Sequence, residues 1–223
     1  SLAPYTISRY SIDGALWVAN ELDHCFLNTV PGTYDIELYI ETNIGCKDSI
    51  TKTVEVFPQP TAEFNFVNAC DNEEVSFEST AQPNIGTISD YQWDVEMDGV
   101  NDYSVADFGH TYAQDGLYNV EHIAVNSYGC SDTIVKQISV YALPEAVFSV
   151  DAVCEDTTTT FTNASLVNPV DNDVISNYDW TFGDGNTSVL ENPNHDYSVE
   201  NIYTAQLVVT TNYGCKDSIA HPV

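Results

Sequence analysis

Tyr178-Asp179-Trp180-Thr181-Phe182-Gly183-Asp184-Gly185 carries the reading of the whole chain. In an extended backbone successive side chains alternate between faces, so Tyr178 and Trp180 share one face and Asp179 takes the other. The Trp face can then anchor a core between two sheets. Gly183 and Gly185 supply the positive backbone dihedrals that a tight hairpin needs. Beyond this turn come Glu191-Asn192-Pro193-Asn194-His195-Asp196-Tyr197 and then Tyr203-Thr204-Ala205-Gln206-Leu207-Val208-Val209, rich in β-branched and aromatic residues. The local pattern is strand, turn, strand.

That last strand leads into Tyr213-Gly214-Cys215-Lys216-Asp217-Ser218-Ile219, a phrase that also occurs as Ile44-Gly45-Cys46-Lys47-Asp48-Ser49-Ile50 and Tyr128-Gly129-Cys130-Ser131-Asp132-Thr133-Ile134. The three cysteines are 84 and 85 residues apart. Such a period suits a complete small β-domain rather than a solenoid turn of roughly 20 to 50 residues. Each copy of the phrase follows a strand-like run, Tyr34 to Ile40, Tyr118 to Val125 and Tyr203 to Val209. No stretch offers a helix of ten or more residues. The chain therefore reads as all-β: residues 1–57 are the C-terminal half of one repeat, 58–143 a second repeat and 144–223 a third, slightly short at its last strand.

Thirty-four acidic residues against five basic ones give a formal charge of −29. Repulsion disfavours nucleic acid and anionic membranes as partners. Such acidity gives a highly soluble surface, and some of the carboxylates are candidates for divalent cations. Each complete repeat has one cysteine near its opening strand and one before its final strand. Repeat symmetry then suggests Cys70 with Cys130 and Cys154 with Cys215, each a bond closing a loop of about 60 residues and contributing roughly 4 kcal/mol in the chain-entropy model. Disulfides imply an oxidising compartment. By phase the partner of Cys46 precedes residue 1, and Cys25, which has no counterpart, pairs with Cys46 or stays free. The sequence has no run of about 18 apolar residues and no basic-then-apolar leader.

The Tyr178 to Gly185 stretch, with Asn192-Pro193, His195 and Tyr197 after it, resembles the polycystic kidney disease (PKD) domain, whose signature is Trp-Asp-Phe-Gly-Asp-Gly followed by Asn-Pro, His and Tyr. The second repeat keeps Tyr91-Gln92-Trp93-Asp94 and His110-Thr111-Tyr112 with a longer acidic turn, Val95 to Asp102; the first keeps Tyr10 to Gly14, with Ile12 at the Trp position. The resemblance implies tandem immunoglobulin-like β-sandwiches arranged as an elongated rod. Several copies with cysteine pairs are similar to the PKD arrays of giant secreted surface proteins in Bacteroidota-type bacteria, many of them type IX secretion cargo and some of them adhesins used in gliding. Asp48-Ser49-Ile50, Asp132-Thr133-Ile134 and Asp217-Ser218-Ile219 also match the short O-glycosylation acceptor pattern of those bacteria.

The strongest local chemistry is Asp94-x-Glu96-x-Asp98-Gly99-x-x-Asp102. Carboxylates at alternate positions around a glycine turn are how a loop surrounds Ca²⁺ with hard oxygen ligands, so Asp94, Glu96, Asp98 and Asp102 are the metal candidates. The third repeat offers Asp179 and Asp184, with Asp171 and Asp173 in a preceding loop. His110 and His195 recur at one phase without a second ligand or nucleophile beside them, which suits a structural hydrogen bond in the turn. No Gly-x-Ser-x-Gly elbow, His-Glu-x-x-His or phosphate-binding glycine loop is present, so no catalytic residue is nominated. The expected role is a disulfide-stabilised, calcium-stiffened stalk of an extracellular, cell-surface adhesin-like protein, with proline-containing junctions at Phe57-Pro58-Gln59-Pro60 and Ala142-Leu143-Pro144 restricting bending. Its partners are neighbouring repeats, with surface polysaccharide or protein as ligands of the whole. The alternative is an accessory carbohydrate- or protein-binding module of a secreted hydrolase.

Overall fold

A computed structural model describes residues 5–12, 15–17, 30–42, 44–151, 157–170 and 172–223. Cys25, Cys154 and Asp171 lie outside the described residues. Every regular element among the described residues is a strand. Among the described residues no helix is long and apolar enough to cross a membrane. The chain divides into two compact units, residues 1–61, 82–89 and 124–132 in one and 62–81, 90–123 and 133–223 in the other.

Among the described residues the first repeat forms one sheet. Its strands β1 (Tyr5–Ile12), β2 (Ala15–Trp17), β3 (Gly32–Thr42) and β4 (Lys47–Val56) lie in the order β2-β1-β3-β4. Tyr34 pairs with Val54, Ile36 with Lys52 and Leu38 with Ile50, so these six side chains share one face. The Gly-Cys phrase closes this hairpin: Thr42 donates to the Cys46 carbonyl at 2.8 Å, and Gly45 has φ 85°. Asn126 with Cys130 and Thr211 with Cys215 repeat the same bond at 2.9 Å. The thrice-written phrase is thus a hairpin turn, with glycine taking the left-handed position.

The second repeat has β5 (Phe64–Val67), β6 (Ala69–Cys70), β7 (Glu74–Ser79), β8 (Ile88–Asp94), β9 (Asp107–Thr111), β10 (Gly116–Asn126) and β11 (Ser131–Tyr141), forming sheets β5-β7-β9 and β6-β11-β10-β8. Trp93, Phe64, Phe77, Val120, Ile138 and Val140 meet in its core. The third has β12 (Phe148–Val150), β13 (Thr159–Asn163), β14 (Ile175–Thr181), β15 (Thr187–Ser188), β16 (Asn194–His195), β17 (Thr204–Thr211) and β18 (Lys216–Pro222), in sheets β12-β13-β16 and β15-β14-β17-β18. Trp180, Phe148, Phe161, Phe182 and Leu207 fill its core. The two cores match in detail. Trp93 lies edge-on to Phe64 and Trp180 edge-on to Phe148, each at 5.1 Å between ring centroids. Each indole N–H reaches a backbone carbonyl, Val105 at 2.8 Å and Leu190 at 2.9 Å, so neither buried donor is left unpaired.

The disulfide differs from the expected pairing. Cys70 is bonded to Cys215, 145 residues away, while Cys130 and Cys46 are free thiols. The reason is strand length. Cys130 precedes β11, whereas Cys70 pairs in parallel with Tyr141, the last residue of β11. Eleven residues of strand span roughly 33 Å, far beyond the roughly 7 Å over which two Cα atoms can be bridged. The opening cysteine of one repeat therefore meets the closing turn of the next. Tyr213 of that turn stacks on Tyr141 with centroids 3.8 Å apart. In the chain-entropy model a loop of this size contributes about 5 kcal/mol.

Candidate functional site

The acidic turn of the second repeat continues β8 beyond its buried Trp93. Trp93 N–H donates to Asn101 Oδ1 at 2.9 Å, and Asp102 N–H returns to the Trp93 carbonyl at 2.7 Å, closing the loop at its base. Met97 and Gly99 take left-handed φ values of 56° and 83°. Inside the loop Asp94 is the hub. Its Oδ1 accepts the N–H groups of Glu96 and Asp98 at 3.3 and 3.2 Å, and its Oδ2 that of Gly99 at 2.7 Å. Asp102 Oδ2 accepts Val95 N–H at 2.9 Å, and Asp98 Oδ1 that of Val100 at 2.9 Å. These are side-chain-to-backbone turns that hold a loop in shape.

Removal from water pushes the Asp94 carboxyl up, and the N–H donors led by Gly99 outweigh it, so its pKa lies below the ordinary carboxylate value. Glu96, Asp98 and Asp102 are exposed. Among the described residues no group of three or more His, Cys, Asp or Glu side chains is placed to hold a metal ion. The four expected ligands thus share a loop without converging on a point. The cleft beside the loop, of about 120 Å³ and lined by Gln92, Asp94, Asn101 and Glu121 among others, is well below the roughly 300–1,000 Å³ of small-molecule sites.

The third repeat builds the equivalent turn from fewer residues. Asp184 accepts Asn186 N–H at 3.0 Å and meets His195 Nε2 at 2.7 Å. Burial raises its pKa, and the Asn186 and His195 bonds together bring it below the ordinary value. His195 stacks on Phe182 at 4.2 Å. His110, at the same phase, bonds Tyr103 OH through Nδ1 at 2.9 Å. Both histidines hold turns, as their spacing suggested. Asp173, a carboxylate of the preceding loop, is buried and accepts Ala142 N–H at 3.0 Å. Tyr112 and Tyr197 donate to the carbonyls of Val95 and Phe182, each at 3.0 Å. Burial raises both phenols, Tyr197 to about 12.

Sequence reasoning did not single out four residues that hold the core and turns in place. Asn101 caps Trp93. His122 is fully buried, stacked on Trp93 at 3.8 Å and bonded to Ser79 Oγ at 2.9 Å. Lys136 sits over the Phe64 ring at 4.8 Å, donates to the Phe64 carbonyl at 2.6 Å and pairs with Glu63. His221 takes the equivalent place over Phe148 at 4.9 Å. The repeat phase was the available signal for this last pair, since Lys136 and His221 are 85 residues apart.

Compared with curated proteins, the chain has no match. Among solved structures it is similar to the PKD1 domain of Vibrio anguillarum Epp, at 23% identity over 36% of this chain and 90% of that one, TM-score 0.33. It is also similar to the PKD1 domain of the Vibrio cholerae metalloprotease PrtV, at 26% identity over 37% and 98%, TM-score 0.33. The fibronectin(III)-like modules of Clostridium thermocellum CbhA match at 13% identity over 72% and 94%, TM-score 0.40. The family model of the PKD domain matches twice in tandem, over residues 57–140 and 141–222. The chain belongs to the PKD domain family.

Proposed function

We propose that these repeats, divided at 1–57, 58–143 and 144–223, are the non-catalytic stalk of a large extracellular, cell-surface adhesin-like protein of the kind carried by type IX secretion. The observation that carries this reading is the Cys70–Cys215 bond with the Tyr141–Tyr213 stack beside it. A covalent bond from one repeat to the next resists bending and local opening, which a spacer needs and a lone binding domain does not. Small-angle scattering tests it. The oxidised chain is expected to give an extended profile, and Cys70→Ser a broader distribution of sizes; a compact globular profile for the oxidised chain overturns the stalk.

Two finer points have their own tests. The loop at Asp94, Glu96, Asp98 and Asp102 closes on its own carboxylate–amide bonds, so the stalk stands without a cation in this reading. A calcium-stiffened form predicts a rise of several degrees in melting temperature with millimolar Ca²⁺. Ser49, Thr133 and Ser218 are all exposed on their strands, which suits O-glycosylation; intact-mass analysis of natively produced protein without added sugar removes that idea. The accessory-module reading draws on Tyr128 and Tyr213, 48% and 39% exposed, and is checked by pull-down on chitin, cellulose and collagen. Both rings lie against an aromatic at a repeat end, which favours the stalk.

A further inference from the structure

We propose that the open face of β4 and the thiol of Cys130 together form a docking surface for the opening strands of a further PKD repeat, a segment with the pattern of residues 62–81. The inference rests on the tandem-repeat part of the stalk reading and not on its mechanical part.

The first observation is a sheet face that is half-buried on β3 and open along β4 among the described residues. Ile50, Lys52, Val54 and Val56 of β4 stand 84 residues before Ile134, Lys136, Ile138 and Val140 of β11. In the second repeat this face is core: Ile138 and Val140 are 1% exposed, and Lys136 lies over Phe64 of the opening strand. In the first repeat Ile50 is 53% and Val54 40% exposed, and β4 is exposed along its length up to Glu55. Apolar residues at alternate strand positions belong against a second layer. Lys52 specifies that layer further, because both complete repeats set a basic or imidazole side chain over the opening-strand phenylalanine at this position.

The second observation is Cys130. Its Sγ lies 3.9 Å from the Phe57 carbonyl, and Tyr128 stacks on Phe57 at 4.1 Å. Phe57 stands 84 residues before Tyr141 and Tyr128 85 before Tyr213, so the first junction reproduces the aromatic stack of the second. At the second junction the cysteine of the turn, Cys215, is bonded to a cysteine paired in parallel with Tyr141. At the first junction the turn cysteine is a free, half-buried thiol. One segment meets both requirements: residues 62–81 carry Phe64 for the face and, six residues on, Cys70 for the thiol.

Bond formation is thiol–disulfide exchange. The Cys130 thiolate attacks the donor cysteine held as its glutathione mixed disulfide; a new S–S bond forms, the old one breaks, and reduced glutathione leaves with the proton. The test uses the oxidised full chain and a synthetic peptide of residues 62–81 in that activated form. Peptide mapping is expected to find one peptide per chain at Cys130, favoured at least about tenfold over the exposed Cys46 and over a scrambled peptide with the same cysteine. Cys130→Ser is expected to abolish capture while the peptide still raises the melting temperature, and Val54→Asp to remove that rise. Equal capture of the scrambled peptide, equal labelling of Cys46, or Cys130 already joined to Cys46 or Cys70 in the oxidised chain overturns the proposal. A compact scattering profile would leave it standing and remove the stalk.

Discussion

Trp93 and Trp180 do the same physical task in successive repeats, each 1% exposed, each edge-on to an opening-strand phenylalanine and each with its N–H on a carbonyl. Trp93→Ala and Trp180→Ala are each expected to destabilise by about 3–5 kcal/mol, from lost burial plus the cavity left behind; urea denaturation checks this. His122 makes a second expectation at this scale. Burial lowers its pKa below the ordinary 6.5, outweighing the Gln92 carbonyl and Glu63, which favour the charged ring. A lowered folded value means that the unfolded chain binds the proton first, so stability is complete above about pH 6.5 and falls as pH drops through that value. The first repeat has Leu38 at the same phase. His122→Leu is therefore expected to flatten the stability profile just below pH 6.5; an unchanged difference from the parent across that range refutes the assignment.

At the scale of strands and turns, Gly183 and Gly185 look alike in sequence and differ in space. Both are left-handed, at φ 83° and 96°. A Cβ on Gly183 would meet the Thr204 carbonyl oxygen at 2.6 Å, whereas one on Gly185 meets nothing within 4 Å. Gly185→Ala is expected to cost about 1–2 kcal/mol, the dihedral alone, and Gly183→Ala clearly more, because backbone must move; thermal melts of the pair separate the two terms. The hairpins were legible because glycine at a fixed offset from a strand has few other uses, and the Tyr-x-Trp strands because period-two alternation fixes a face. The disulfide was not. Periodicity sets the phase of each cysteine, but pairing within a repeat and pairing with the next preserve the same symmetry, and only the length of β11 decides. The acidic loop was half legible: the turn around Gly99 formed as read, yet a carboxylate that accepts backbone N–H groups and one that waits for a cation have the same letters.

For the molecule as a whole the dominant long-range term is charge. With 34 acidic and five basic residues, few carboxylates can have a cationic partner; Lys136 with Glu63 and Lys47 with Glu41 are ion pairs among the described residues, and the Asp184 contact with His195 is a hydrogen bond that becomes a third only when the ring is protonated. The remaining carboxylates repel one another, and self-repulsion destabilises a compact state. The Debye length is about 10 Å at 0.1 M salt and about 3 Å at 1 M, so added NaCl is expected to raise the melting temperature steadily across that range. Calcium chloride at matched ionic strength separates screening from binding. Because Asp94, Asp98 and Asp102 already accept loop N–H groups, the two salts are expected to give superimposable curves apart from a small excess from the doubly charged ion, and Asp98→Asn should leave that excess unchanged. A larger calcium-specific rise that Asp98→Asn removes would mean that the loop reorganises around the ion and that calcium stiffens the repeat.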